Sequence, residues 1–119
     1  MTINWNNKTE VLVLVKQTGS ALKFASKELR NDKEVVLESV RKNGVVLHWA
    51  SEELRNNKEV VLAAVKQNKE ALTFVSEELQ NKIKAISPDN PEEGLRILIE
   101  IESLSQGKRI KKEKRGLKL

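Results

Sequence analysis

Apolar residues recur along this chain in two clusters that alternate at a fixed distance. The first is Val11, Leu12 and Val15, repeated as Val36, Leu37 and Val40 and again as Val61, Leu62 and Val65. This i, i+1, i+4 spacing marks one face of a helix. The second is Leu22, Phe24, Ala25 and Leu29, matched by Leu47, Trp49, Ala50 and Leu54 and by Leu72, Phe74, Val75 and Leu79. Asn7, Asp32 and Asn57 precede the first cluster, where a short side-chain oxygen caps the free amides of a first turn. Gly19 and Gly44 follow it, where a left-handed terminating residue is wanted, and Lys69 departs from that pattern. Ser26, Ser51 and Ser76 stand before Lys-Glu-Leu or Glu-Glu-Leu and cap one further turn. The pattern predicts two short helices per copy. EVLVLV at 10–15 has the alternating, β-branched look of a strand, but its counterparts VVLESV and VVLAAV read as helix, and equivalent repeats share a fold.

Segments 6–30, 31–55 and 56–80 align without a gap at a period of 25 residues, and neighbouring copies share about half their positions. Such a period implies a small unit that buries its apolar side only by stacking on its neighbours. The expected fold is all-α: stacked helical-hairpin repeats over 1–86, then a C-terminal helix within 87–106 that caps the stack or dimerises, then a basic, flexible tail at 107–119. Residues 81–86 extend the last unit. Pro91 suits the first position of the C-terminal helix, with Glu92 and Glu93 against its positive end. Leu95, Ile97, Leu98, Ile99, Ile101 and Leu104 make that helix apolar on more than one side, which predicts burial against the stack and against a second chain. Copy one has Val13-Leu14 where the others have Glu38-Ser39 and Ala63-Ala64. Those side chains need a cover: the C-terminal helix, Trp5 with Ile3, or another protein. Trp5 itself is expected to plug the first copy from outside the repeat pattern.

Composition narrows the chemistry. The chain has no cysteine and one histidine, so a disulfide framework, a thiolate nucleophile and the usual zinc sites are not expected. No apolar run is long enough to span a bilayer, which with the lack of cysteine predicts a soluble protein made in a reducing cytoplasm. The charge is concentrated: residues 107–119 carry seven Lys/Arg and one Glu, or +6 of a total of +5, leaving about −1 for residues 1–106. A tail of this kind suits phosphates and acidic surfaces, so an adaptor for nucleic acid or an anionic membrane is the alternative function. The tail has no aromatic to stack on a base, which counts against nucleic acid.

No catalytic, cofactor-binding or metal-binding residue is assigned, and an enzyme is not expected. His48 invites a catalytic reading with Glu52 four positions on, but its aligned residues are Lys23 and Thr73, so it occupies a variable, outward slot. Glu52-Glu53 and Glu77-Glu78 belong to helix starts. Trp49, Phe24 and Phe74 share one slot, read as core. The expected partner-binding set is Arg30, Arg41, Arg55 and Lys66, which offer paired bonds to carboxylates, with His48 and Glu38 as variable positions that tune the choice of partner.

The string LRNDKEVVLESVRKNG, followed by LHWASEELRNNKEVVLAAVKQN, resembles a helical repeat family of unknown function found in Legionella secreted effectors and in other intracellular bacteria and protists. The resemblance covers residues 6–80. A short set of these repeats with a helical, basic C-terminus is similar to effectors that regulate other effectors. The resemblance therefore implies a protein-binding inhibitor of ubiquitin deamidase and transglutaminase enzymes, with MavC and MvcA as partners and type IV secretion into the host cytosol. It carries over no catalytic residue.

Overall fold

The computed structural model describes residues 2–105; the expected basic tail lies outside the described residues. Among these residues every regular element is helical. Each copy starts with a ten-residue helix: α1 (Lys8–Gln17), α3 (Lys33–Lys42) and α5 (Lys58–Gln67). The caps read from the sequence are in place, with Asn7, Asp32 and Asn57 side chains accepting from the amides of Glu10, Val35 and Val60 at 3.0, 3.1 and 3.0 Å.

The second half of each copy has the further Ser-capped turn expected from the sequence, but the element before it is not the expected α-helix. It is a 3₁₀ helix, η1 (Gly19–Phe24), η2 (Gly44–Trp49) or η3 (Lys69–Phe74), followed by a Ser-capped α-helix. The latter is one turn long in α2 (Lys27–Arg30) and α4 (Glu52–Arg55) and continues as α6 (Glu77–Ile86) in the last copy. Helices α1, α3 and α5 lie side by side and parallel, and the 3₁₀ helices form a second layer behind them. The core runs between the layers, with Val11, Val15, Leu22, Val36, Val40, Leu47, Val61 and Leu79 almost fully buried. Each such side chain contributes about 1.5–3 kcal/mol.

The glycines act differently from the reading above. The residues that end the first helices, Thr18, Asn43 and Asn68, are extended, and Gly19 and Gly44 open the 3₁₀ helices without a left-handed backbone. Their role is close approach. A Cβ at Gly19 would lie 2.5 Å from the Ser39 carbonyl oxygen of the next copy, and one at Gly44 would press harder still on that of Ala64. Small side chains at 39 and 64 complete the fit, both fully buried. Lys69 is tolerated because α6 and α7 (Pro91–Ser105) stand where a following copy would, and Lys69 points to solvent.

Two further contacts repeat between copies. The amides of Ser26, Ser51 and Ser76 donate to the carbonyls of Trp5, Arg30 and Arg55 at 2.9, 2.9 and 3.1 Å. Trp5 thus belongs to the register after all, 25 residues before Arg30. Along the edge formed by the first turns, Lys8 reaches Asp32 and Glu34 (3.1 and 3.0 Å), Lys33 reaches Glu59 (2.5 Å), and Lys58 reaches Glu102 (3.3 Å). Helix α7 therefore supplies the last acid of the ladder. It runs antiparallel to α5, packs on α5 and α6, buries Leu95 and sets Gly94 on the Ile83 carbonyl.

Gly44→Ala is expected to lower stability by about 1–3 kcal/mol through overpacking against backbone, whereas Lys69→Ala should stay within about 0.5 kcal/mol, both read by urea denaturation. A second expectation concerns acid. Burial alone would raise the Asp32 carboxyl, but its bond from the Val35 amide and the Lys8 ammonium outweigh burial and hold it below the ordinary 3.8. A folded-state value below the unfolded one means that the stabilisation is present above about pH 4 and is lost as pH falls through the folded value. Asp32→Asn keeps the cap, as Asn7 and Asn57 show, and removes the charge. The variant should be less stable than the parent at neutral pH, with the difference closing in acid; a difference independent of pH would contradict the pairing.

Candidate protein-binding surface

The 3₁₀ layer carries aromatic rings where a core slot was expected. With three residues per turn, Leu22 and Ala25 fall in line on the inner side and Phe24 falls on a flank. Phe24 is 57% exposed and Trp49 is 38% exposed, while Phe74 is half-buried. The slot is open to solvent in copies one and two, while in copy three Phe74 packs against the core as expected. Trp5 packs against Phe24 with ring centroids 5.4 Å apart, and Lys23 Nζ sits 5.0 Å over the same ring. His48 fills the gap between the next two rings, edge-on to Trp49 at 4.8 Å and 4.9 Å from Phe74. Its position is outward, as expected, and its neighbours are rings; no hydrogen bond joins it to Glu52 among the described residues.

The other predicted site residues fall in two further places. Arg41, Lys66 and Glu38 lie on the outer face of the helix layer, where Arg41 reaches Glu38 at 3.4 Å. Between α3 and α5 that face holds an open groove of about 410 Å³ lined by Leu37, Arg41, Glu59, Leu62, Ala63, Lys66 and Gln67. Arg30 and Arg55 end α2 and α4, away from this groove. Their carbonyls tie the copies together, and each has a buried Nε with no partner among the described residues. The expected set is therefore split between the helix face, the copy junctions and, for His48, the aromatic row.

Copy one is partly covered. Leu14 is partly buried and lines an apolar groove of about 440 Å³ with Ile3, Trp5, Ala21 and Phe24, whereas Val13 remains 52% exposed. The C-terminal helix is at the other end of the layer. On α7 the stripe of Ile97, Ile101 and Leu104 faces outward, with Ile101 and Leu104 about half exposed.

Sequence reasoning missed Phe24 and Trp49 as surface residues. The signal was present: Leu22 and Ala25, and their equivalents, already fill the inner line of a three-residue turn. Because it is mostly exposed, Phe24→Ala should cost about 1 kcal/mol or less in chemical denaturation, against roughly 3–5 kcal/mol for truncating a buried aromatic. A loss in the larger range would return the slot to the core.

Among the described residues no group of three His, Asp or Glu side chains is placed to hold a metal ion, and no helix is long and apolar enough to cross a membrane. No curated protein and no solved structure matches the chain. A family model, a domain of unknown function (DUF4116), matches twice, over residues 7–51 and 32–80, each match spanning nearly two of the stacked copies. The chain belongs to that family.

Proposed function

We propose that this chain is a protein-binding regulator that inhibits ubiquitin deamidase and transglutaminase enzymes by covering the surface where they engage substrate. The observation that carries a binding role is the aromatic row. All three copies keep a large ring at one slot, and the fold leaves two of the three open to solvent. Exposed aromatics are the usual anchors of protein interfaces. The stack holds them on neighbouring rigid turns, so a partner meets one surface built from several copies.

The choice of target rests on the sequence resemblance. It points to MavC and MvcA, and with them to Legionella, to type IV secretion and to action in the host cytosol. Arg41, Lys66 and Glu38 on the helix face and His48 in the row are the residues that set partner preference. The open stripe of Ile97, Ile101 and Leu104 on α7 suits a second copy of the chain. A second reading, an adaptor for nucleic acid or anionic membrane, rests on the +6 charge of residues 107–119.

The test is capture of each enzyme by the purified chain, with the mass of the complex read by light scattering. A defined complex in which deamidase activity is lost is the expected result, and the free chain should run as a dimer. Phe24→Ala with Trp49→Ala should weaken capture by about tenfold or more, and deleting 108–119 should leave it intact. No binding at micromolar concentration would overturn the assigned targets. Dependence on the tail with steep loss in salt would favour the adaptor.

A further inference from the structure

We propose that the groove between α3 and α5 receives an acidic, amphipathic helix of the partner protein, a proposal that rests on the protein-binding reading above. The groove exists because copy three carries Ala63 where copy two has Glu38 and copy one has Val13, which lowers the surface of α5 beside Leu37 and Leu62. Its floor is apolar. Its two ends differ in charge.

At the end formed by the first turns, the groove's acid, Glu59, is paired with Lys33 within the stack. At the other end Arg41 and Lys66 line the groove, with Lys42 beside Arg41 at the end of α3, all exposed, and Glu38 is the one carboxylate paired to any of them among the described residues. Three cations less one carboxylate leave +2. The C-terminal ends of the two flanking helices answer only part of this, at roughly half a negative charge each. The remaining positive potential calls for an anionic neighbour.

The form of that neighbour follows from the walls. The backbone amides of α3 and α5 are engaged within their helices, so an extended segment finds no main-chain partners here. Side chains projecting from a helix at i, i+4 and i+7 fit between two parallel helices. Each wall is ten residues long, about 15 Å at 1.5 Å per residue, which admits two to three turns. The chain's own tail, at +6, is repelled by the cationic edge.

The probes are two synthetic peptides of equal length with the same leucine stripe, one carrying Glu and one Lys on its polar face, titrated into isotope-labelled full-length chain. The acidic peptide should shift the amides of 37–42 and 62–67, with affinity falling as salt rises and about tenfold in Arg41→Glu with Lys66→Glu. Both substituted residues are exposed, and thermal unfolding verifies that the variant is folded. Equal binding of the basic peptide would overturn the proposal, as would shifts confined to 44–49. Shifts of the same amides when the chain alone is concentrated would assign the groove to a second copy and overturn it too. If wild-type chain fails to capture the enzymes while the acidic peptide binds as stated, the named targets fall and the groove stands. If the charge-reversed chain still captures them while Trp49→Ala does not, the groove falls and partner binding stands.

Discussion

The closeness with which one copy approaches the next controls everything else in this molecule. A 3₁₀ turn that begins at glycine rests directly on a backbone carbonyl of the following first helix, Gly19 on Ser39 and Gly44 on Ala64. That contact brings the Ser51 and Ser76 amides within reach of the Arg30 and Arg55 carbonyls. The same junctions carry bonds from Ser51 Oγ to Asn31 and from Ser76 Oγ to Asn56, each 2.5 Å. It also sets the lateral spacing at which Lys33 meets Glu59. A single added methyl group at the glycine opposes all of these at once, because a backbone oxygen cannot turn aside as a side chain can.

Much of this arrangement was legible in the residues, and the rest failed for physical reasons. Helix starts were clear because capping is local: Asn7, Asp32, Asn57 and the three serines act on amides within three positions of themselves. The period and the stacking followed from repetition. The 3₁₀ form of the second element was not legible, since α and 3₁₀ turns share caps and composition and differ in rise and in packing. That error moved Phe24 and Trp49 into the core on paper. Glycine was read at the right positions for the wrong reason, because a chain terminator and a close contact both require the absence of a Cβ. Trp5 lay outside the visible pattern because its contribution to the register is a carbonyl, which no side-chain comparison reveals.

The candidate surface shows the same division. Arg41, Lys66 and Glu38 were expected outward and share one face with a groove. Arg30 and Arg55 were expected to act through their guanidinium groups, yet their backbone carbonyls form the copy junctions. A scaffold of this type separates the two tasks. Positions at the junctions are held small or polar by geometry, while positions one or two residues away vary freely. His48 against Lys23 and Thr73 is one such variable slot, and Ala63 against Glu38 and Val13 is another. Variation at these slots changes a partner surface without disturbing the stack.

A surface assembled from several copies functions only if the copies stay together, and native-state hydrogen exchange measures this most directly. The amides of Ser51 and Ser76 are bonded across copy junctions, so their exchange reports separation of one copy from the next. The account predicts that both exchange only through global unfolding, with the same free energy and the same denaturant dependence as the core amides of Val40 and Val65. Exchange of Ser76 at markedly lower free energy than Val40, through detachment of the last copy, would contradict it.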